Sequence, residues 1–421
     1  MIDKTEKFIQ PDEVIWTSKV ELIEEPDKWY YHYNEFPFKV DSERIILERK
    51  SIVDIPREIK YLSNLKYLSL ECNEIISLPD EIWQLQNLRY LILTENRISI
   101  ISTEIKNLTN LIDLKIRKNL VNLIPSEIGR LSNLKILDLG ENKLITLPKE
   151  IGQLANLESL NLRRNKINIL PDEIRLLSNL KTLNLDENLL NELPYDITRL
   201  PMLQILHLGR NKLLTLAPEI GQLKQLTQLI LTFNKLNALP NEIVSLSNLL
   251  SLYLDHNEFN CFPKEIILFS KLSELNMNGN QIVLLPKDIG ELTTLTKLDL
   301  NNNKIISIPK EINKLSCLKW LGLKGNNLKT LPKEISNLQN LTHLFINCNQ
   351  LEELPPEIGQ LINLVSLNLE FNKLISLPNE IKQLVNLRIL CIGANCFESN
   401  EIDRIKELLP KCIVRTIAYY G

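Results

Sequence analysis

The sequence predicts an α/β solenoid, in which a parallel β-sheet lines the concave face and short helices or 3₁₀ turns cover the convex face. Three features predict it: a strict period, a strand-like half of each unit and a helix-like half. Asparagine recurs every 23 residues at fifteen successive positions, without insertion or deletion. These positions are Asn73, Asn96, Asn119, Asn142, Asn165, Asn188, Asn211, Asn234, Asn257, Asn280, Asn303, Asn326, Asn349, Asn372 and Asn395. Such a period indicates a stack of structural repeats.

The residues just before each of these asparagines predict a short strand. In LPKEIGQLANLESLNLRRN, residues 147–165, Leu160 and Leu162 alternate with variable residues before Asn165. Successive side chains of a strand point to opposite faces, so the leucines face inward and the variable residues face outward. Each unit therefore supplies one parallel strand.

The other half of each unit predicts a short helical segment. Pro148 suits the first helical position and Glu150 suits the first turn, while Ile151 and Leu154 lie on one face. One or two helical turns per unit are expected to follow the proline.

The recurring asparagine is predicted to be structural. A carboxamide carries both donors and an acceptor, so it can bond the backbone groups of a buried loop across neighbouring turns. A second asparagine, such as Asn156, is less constrained, because other units replace it. The replacements are Met202, Gln225, Lys271, Thr294 and Cys317.

The repeats divide the chain into three predicted parts. Residues 42–396 form a solenoid of about 16 repeats, the first of which is degenerate, with Lys50 in the asparagine position. Residues 1–41 are an N-terminal segment and residues 397–421 a C-terminal capping helix and strand. No repeat can bury its own leucine face, so the repeats stack into one core with a concave arc on the order of 75 Å. That surface suits a protein partner better than a small molecule.

Both ends of the stack need a cap. At the C-terminus, Ser399 or Asn400 is the expected N-cap of a helix whose apolar stripe includes Ile402 and Ile405, and Pro410 ends it. At the N-terminus, residues 8–38 hold 8 of the 24 aromatic residues. We interpret this segment as a cap, with a partner-binding arm as the alternative.

The phrase LPxEIGxLxNLxxLxLxxNxL at a 23-residue period resembles the bacterial leucine-rich-repeat proteins abundant in spirochaetes, and also the intracellular Ras-group repeats of eukaryotes. The resemblance covers about 85 per cent of the chain, and the SNEIDRIKELLPKCIV ending is similar to the terminal cap of the bacterial members. It implies a bacterial horseshoe that binds other proteins. Several members of that group are thought to act on host cells during infection, so the resemblance also implies virulence and a host-cell partner.

Charge and hydropathy exclude some classes of partner. The net charge is −3; residues 1–41 carry 5 basic and 10 acidic side chains, which leaves +2 for the remainder. Neither part has the basic surplus that nucleic-acid binding needs. The first residues, MIDKTEKFIQPDEVIW, do not read as a signal peptide, and no stretch has the 18 apolar residues of a membrane span. We expect a cytoplasmic protein; export without a signal peptide stays open.

The seven cysteines predict no disulfide ladder. Stacked residues are 23 apart, and no two of the cysteines have that spacing. Cys396 with Cys412 is the one pairing that the sequence allows, and free thiols of a reducing compartment are the favoured interpretation.

The sequence predicts no enzyme, no cofactor and no metal. The segments outside the repeats are too short for a catalytic domain, and nucleotide-binding and zinc-protease motifs are absent. His343 and Cys348 lie five residues apart but have no orienting acid beside them. Asp255 and His256 would need a third strong ligand to hold a metal.

Partner-binding residues are expected among the variable, outward-facing positions. Apolar and aromatic side chains bordered by charge are typical of interface hot spots, although exposed strand positions favour such residues for strand pairing alone. The central cluster comprises Ile205, His207, Arg210, Ile230, Phe233, Tyr253 and His256; a C-terminal cluster comprises Trp320, His343, Phe345 and Phe371; a smaller one comprises Tyr67, Tyr90 and Ile92.

The favoured hypothesis is a non-enzymatic scaffold that binds a protein on its concave face, with a host protein as one candidate. The alternatives are an intracellular signalling scaffold of the Ras-group type and a structural protein that self-associates through its aromatic N-terminus. The mixed charges between the clusters, such as Arg163 and Glu187, are expected to be a solvated face or a rim that steers a partner.

Overall fold

The computed structural model describes residues 41–417, and its strands form one continuous parallel sheet. Each strand pairs with the next one in the chain, and paired residues such as Leu160 and Leu183 are one 23-residue period apart from β1 to β16. The strands are β1 Arg44–Ile46, β2 Tyr67–Ser69, β3 Tyr90–Ile92, β4 Asp113–Lys115, β5 Ile136–Asp138, β6 Ser159–Asn161, β7 Thr182–Asn184, β8 Ile205–His207, β9 Gln228–Ile230, β10 Ser251–Tyr253, β11 Glu274–Asn276, β12 Lys297–Asp299, β13 Trp320–Gly322, β14 His343–Phe345, β15 Ser366–Asn368, β16 Ile389–Cys391 and β17 Ile413–Arg415.

Short 3₁₀ helices of five residues form the other wall of the solenoid. They span Arg57–Tyr61, Asp80–Gln84, Thr103–Asn107, Ser126–Arg130, Lys149–Gln153, Asp172–Leu176, Tyr195–Arg199, Pro218–Gln222, Asn241–Ser245, Lys264–Leu268, Lys287–Glu291, Lys310–Lys314, Lys333–Asn337, Pro356–Gln360 and Asn379–Gln383. The predicted α/β solenoid, with 3₁₀ turns on the face opposite the sheet, is confirmed.

In most units the proline lies one residue earlier than predicted, although Pro218 is the first helical residue of its unit, as expected. Pro148, for example, is the N-cap of its 3₁₀ helix, with φ −68° and ψ 148°, and Lys149 is the first helical residue. The fixed φ of proline suits either position, but an extended ψ brings the chain out of the preceding loop before the helical turn begins. At the third 3₁₀ helix Ser102 replaces proline, and its hydroxyl accepts a hydrogen bond from the N–H of Glu104 at 3.2 Å.

One core runs through the stack. Its leucines and isoleucines, such as Leu160 and Leu162, are fully buried, and the cluster continues from Ile45 to Leu409. The first repeat lies in the same register, because Ile45 of β1 pairs with Leu68 of β2 although Lys50 replaces the asparagine. The apolar layer is therefore shared between neighbouring repeats, as a solenoid requires.

Beyond the last repeat, helix α1 spans Ser399–Leu408 and packs Ile405 into the core. Glu398 is its N-cap, with no side-chain cap hydrogen bond, so neither Ser399 nor Asn400 caps the helix as predicted. Asn400 instead accepts a hydrogen bond from the N–H of Glu401. The proposed N-terminal cap, residues 1–41, lies almost wholly outside the described residues. No helix within residues 41–417 has the length and apolarity needed to cross a membrane.

Buried asparagines join each repeat to the one before it. The Oδ1 of Asn234 accepts a hydrogen bond from the N–H of Leu213 at 3.0 Å, and its Nδ2 donates to the carbonyl of Leu208 at 2.9 Å and to that of Leu231 at 3.1 Å. All fifteen asparagines bond the backbone of the preceding repeat in this way. We number the repeats from the one with Lys50. Repeats 2–16 then all carry asparagine at the ladder position, and these hydrogen bonds explain why.

The second asparagine also bonds the preceding repeat, but at the surface. Asn248 donates one hydrogen bond to the carbonyl of Lys224 at 3.0 Å, in an exposed position. Where this asparagine is replaced, Thr294 donates to the carbonyl of Leu272 at 2.7 Å and Lys271 donates to Asn248. Since water can satisfy an exposed carbonyl, the position tolerates substitution.

These two asparagines give a matched test of the ladder. We expect Asn234→Ala to lower the free energy of unfolding by about 3 kcal/mol, because it strands several buried backbone groups. Asn248→Ala should cost less than about 1 kcal/mol. Guanidinium unfolding followed by circular dichroism measures both, and equal losses would contradict the buried ladder as the source of stability.

Candidate concave binding face

Four outward-facing positions of each repeat form the concave surface. Counted back from the closing asparagine they are positions −6, −4, −2 and −1; in repeat 10, which ends at Asn257, they are Ser251, Tyr253, Asp255 and His256. Side chains at −6 and −4 flank the buried central leucine of the strand and therefore lie on its other face. Most of the predicted partner-binding residues occupy positions −6 and −4.

Position −1 has a left-handed backbone in every repeat from 2 to 16. Its non-glycine residues have φ between 50° and 57°, as at Phe233 and His256, and glycine occupies it twice, at Gly279 and Gly325. A left-handed conformation is unfavourable for a bulky residue. The turn into the ladder asparagine imposes it regardless of side chain, and this was not anticipated from the sequence, where the two glycines were the only signal.

The central cluster contains a stack at position −1. The guanidinium carbon of Arg210 lies 4.0 Å from the centroid of the Phe233 ring, and Phe233 stacks on His256 with centroids 4.1 Å apart and planes inclined by 13°. Phe233 is nevertheless 38% exposed. The structure thus brings together three residues that the sequence placed only in adjacent repeats.

The position −4 residues of the same cluster form a second row. Tyr253 donates a hydrogen bond to Glu274 at 2.6 Å, and burial together with this bond raises the pKa of Tyr253 to about 12. The Nδ1 of His207 lies 3.6 Å from a carboxylate oxygen of Asp186. Between them Ile230 is half-buried, as is Ile205 at position −6. Glu274 and Asp186, which fix these rings, were not anticipated as part of the cluster.

The C-terminal cluster forms around a glycine. Trp320 and Phe345 have ring centroids 5.4 Å apart, and His343 lies 6.2 Å from Phe345. A Cβ atom on Gly322 would come within 2.6 Å of the Trp320 ring, so the indole lies over the notch that this glycine leaves in the sheet. Phe371 occupies position −1 of the following repeat. Only the three-dimensional structure shows that Trp320 requires a glycine at position 322.

The N-terminal cluster is a further stack, at position −6. Arg44 lies over the ring of Tyr67 at 3.8 Å, and Tyr67 and Tyr90 have centroids 5.7 Å apart. Tyr90 is 38% exposed, but Ile92 is buried, at 7%. Ile92 therefore supports this surface from below and is closed to a partner in this conformation.

The charged repeats between the clusters are paired internally. Arg117 contacts Glu141 at 2.6 Å, Arg164 contacts both Glu141 and Glu187 at 3.2 Å, and Arg163 contacts Glu187 at 2.5 Å. Hydrogen bonds from Arg117 and Arg163 respectively lower the pKa of Glu141 and Glu187. This network links repeats 4–7 side by side and resembles a solvated face more than a free steering rim.

A polar network also runs between positions −4 and −2. An asparagine or aspartate at −4 accepts the N–H of the −2 residue in its own repeat, as Asn276 does from Asn278 and Asp299 does from Asn301, both at 3.0 Å. Asp138, Asn161, Asn184 and Asn368 make the same contact. Burial raises the pKa of Asp138 and of Asp299 despite these bonds. The face therefore carries carboxylates in positions where a neutral amide also fits.

His343 and Cys348 form no hydrogen-bonded pair. The Nδ1 of His343 is bonded to the Thr342 hydroxyl at 2.9 Å, and the sulfur of Cys348 receives only a long contact from Asn347, at 3.8 Å. Within residues 41–417 no group of three or more His, Cys, Asp or Glu side chains is placed to hold a metal ion. All seven cysteines are free, including Cys396 and Cys412.

The buried carboxyl of Asp299 predicts a stability that depends on pH. Burial raises the pKa of Asp299 in the folded state, so the ionised carboxylate destabilises the fold. The penalty is absent below the ordinary carboxyl pKa of 3.8, grows as the pH rises toward the raised pKa, and is complete above it. We expect Asp299→Asn, which keeps the acceptor, to raise the midpoint of thermal unfolding at pH 7, and the gain should shrink as the pH falls.

Glu187→Gln is the matched control of opposite sign, because the pKa of Glu187 is lowered by Arg163. The control should destabilise the protein at pH 7 and lose that effect in acid. Calorimetry from pH 2 to pH 8 separates the two variants, and parallel curves would contradict the assignment of both charges.

The notch under Trp320 predicts a local rearrangement. In Gly322→Ala the new methyl group displaces the indole, so acrylamide should quench tryptophan fluorescence more strongly while circular dichroism stays unchanged. The same substitution in a Trp320→Phe background should have no effect on quenching. Unchanged quenching in the single variant would show that the indole does not depend on the notch.

Comparison with known proteins identifies the repeats. A family model described as a leucine-rich repeat region matches residues 118–235 and 303–410, and a second, described as a leucine rich repeat, matches residues 43–98 and 224–282. No curated protein matches the chain. Among solved structures, a leucine-rich-repeat protein of Leptospira interrogans is 43% identical, with 89% of this chain and 96% of that chain covered and a TM-score of 0.87.

Two further structures are similar at lower identity. The ectodomain of an Arabidopsis thaliana membrane receptor kinase, in complex with Casparian strip integrity factor 2, is 28% identical; the match covers 89% of this chain and 50% of that chain, with a TM-score of 0.70. The functional domain of InlJ from Listeria monocytogenes, which includes a cysteine ladder, is 21% identical, covers 84% and 73%, and has a TM-score of 0.69, which supports the fold alone. The chain belongs to the leucine-rich-repeat proteins.

Proposed function

We propose that this protein is a non-enzymatic recognition scaffold that binds a protein partner on its concave face. Leucine-rich-repeat proteins in general mediate protein–protein interaction and typically lack catalytic activity. The single observation that carries the proposal is the central cluster, where Arg210, Phe233 and His256 form a stack beside Tyr253. Aromatic and arginine side chains at the centre of a surface supply most of the binding energy at interfaces.

The rigidity of the stack favours this use. The rings are held by stacking and by the Tyr253–Glu274 hydrogen bond, so a partner loses little side-chain entropy in ordering them. Phe233 keeps 38% of its surface exposed although a neighbouring ring and a guanidinium cover it. An apolar side chain that is fixed and still accessible suits an interface anchor better than a core position.

The identity of the partner is the finer part of the proposal. The similarity to a Leptospira interrogans protein supports a bacterial source, and the plant receptor ectodomain was solved with a factor bound to it. A host protein is the partner that the sequence resemblance implies. A bacterial origin, a role in virulence, self-association and a cytoplasmic location remain expectations from the sequence. Capture from bacterial lysate or from host-cell extract distinguishes a bacterial partner from a host partner.

Capture of partners tests the proposal. Wild-type protein, Phe233→Ala and Trp320→Ala are each used as bait, once with bacterial lysate and once with host-cell extract, and bound proteins are quantified by mass spectrometry. We expect at least one protein to be lost about tenfold or more with Phe233→Ala, because removing a hot-spot ring costs about 2 kcal/mol.

The control baits are Ile169→Ala and Ile375→Ala, which remove apolar side chains that are 64% and 67% exposed but lie in the loop after the ladder asparagine. These controls should capture the same proteins as wild type. If both aromatic variants capture the wild-type set at wild-type levels, the concave face is not the binding surface.

A further inference from the structure

In two repeats the polar network of the concave face leaves a buried side-chain oxygen without a partner. In the repeats that form this network, the −2 N–H is bonded in one of two ways. An asparagine or aspartate at −4 of the same repeat accepts it, or the −2 side chain of the preceding repeat does: Asp186 accepts from the N–H of Gly209 at 2.6 Å and Asn301 accepts from that of Lys324 at 2.7 Å. The second arrangement occurs where position −4 is His207 or Gly322, neither of which accepts the bond.

Both unbonded oxygens occur in repeats where an aromatic residue replaces the asparagine or aspartate at position −4. Position −4 is Tyr253 in repeat 10 and Phe345 in repeat 14, and position −2 is Asp255 and Asn347. The N–H that each of these −2 side chains could accept is the −2 N–H of the following repeat. In repeat 11 that N–H, of Asn278, already donates to Asn276. In repeat 15 the corresponding N–H, of Glu370, already donates to Asn368.

As a result, Asp255 and Asn347 each keep one buried acceptor without a partner. The Oδ1 atoms of both are buried and unbonded, and the side chains are 8% and 7% exposed. An unsatisfied buried acceptor lowers stability, and more so when the group is charged, so such groups are rare unless they serve a purpose. Both lie beside the aromatic residues of the two larger clusters.

Asp113 and His207 also have an unbonded buried atom on the concave face, but each has a charged partner at its other polar atom. Asp113 has its second oxygen 3.3 Å from the ammonium of Lys115, and His207 has its other nitrogen beside Asp186. Within the described residues no basic side chain lies within 4 Å of the Asp255 carboxylate. Asp255 therefore forms no ion pair with a described residue; burial raises the pKa of its carboxyl, and the nearby charges of His256 and Arg210 only partly oppose that rise.

The charge around Asp255 indicates what would satisfy it. The concave positions of repeats 10–12 carry three carboxylates, Asp255, Glu274 and Asp299, and one ammonium, Lys297, a net charge of −2. Aromatic rings flank the site, and they favour a cation by interaction with its charge. A lysine or arginine side chain matches both features, whereas a neutral donor is sufficient for the amide oxygen of Asn347.

The spacing of the two acceptors indicates one continuous ligand. They are four repeats apart, about 19 Å along the sheet, and an extended chain covers that distance in about six residues. Between them the indole of Trp320 lies over Gly322, which leaves an apolar surface between the two acceptors. A single extended segment can therefore reach both acceptors.

Resting on the concave-face binding proposed above, we propose that the partner presents an extended basic segment. A lysine or arginine side chain binds at Asp255, and a neutral hydrogen-bond donor about six residues away binds at Asn347. Access to the two oxygens requires a small adjustment of side chains on the face, which is common when interfaces form.

Selection from a random-peptide library tests the inference. The library is selected on wild-type protein, Asp255→Asn, Asn347→Ala and the control Asp138→Asn, which lies outside repeats 10–12 and is already bonded to the N–H of Gly140. We expect a basic residue to be enriched on wild type, on the control and on Asn347→Ala, and to be lost on Asp255→Asn. Circular dichroism confirms that each variant is folded.

A selected peptide is then synthesised with its basic residue and with norleucine in that position, and calorimetry measures binding to each protein. The norleucine peptide should bind wild type about tenfold or more weakly, but Asp255→Asn should bind both peptides equally, since the cycle isolates this one contact. Asn347→Ala should weaken both peptides while keeping their ratio.

The inference fails if no peptide is selected, if neutral or acidic peptides are enriched, or if Asp255→Asn preserves the tenfold preference. These outcomes leave the proposed function standing whenever Phe233→Ala still abolishes capture of a protein partner. Unchanged capture by both Phe233→Ala and Trp320→Ala would remove the proposed function itself.

Discussion

The structure depends on the hydrogen bonds between each ladder asparagine and the preceding repeat. A solenoid coil turns sharply at the end of its strand, and the turn buries backbone donors and acceptors that neither the sheet nor water can reach. One carboxamide in each repeat satisfies them, as Asn234 does with Leu208 and Leu213. The same turn forces position −1 into the left-handed conformation, so the ladder also fixes the direction in which Phe233 and His256 project.

Because stacking is carried by the leucines and the ladder, the concave positions are free to vary, and they vary in an ordered way. In the polar repeats an asparagine or aspartate at −4 accepts a hydrogen bond from the −2 N–H. In repeats 10 and 14 an aromatic ring occupies −4 and this hydrogen bond is absent. The exchange costs stability at Asp255 and Asn347, where an acceptor is stranded. Such local violations of an otherwise consistent pattern are expected where a surface has a function.

Much of the candidate site could be predicted, and the part that could not has a physical reason. The spacing alone placed His207, Ile230 and Tyr253 in one column, because the register between strands is a whole period. It could not show that Ile92 is buried, that Trp320 lies over Gly322 or that Arg117, Glu141 and Arg164 pair. These outcomes depend on side-chain rotamers and on how closely neighbouring repeats approach.

The sequence by itself determined the solenoid, its parallel register and the inward leucines, because a strict 23-residue period leaves one way to bury every apolar face. The one-residue shift of proline to the N-cap and the 3₁₀ form of the turns were decided by the tertiary structure, where adjacent coils limit the space. So were the stack of Arg210, Phe233 and His256 and the unbonded oxygens of Asp255 and Asn347. Whether a hydrogen bond is made depends on competition among neighbouring repeats for one donor, and that competition exists only in three dimensions.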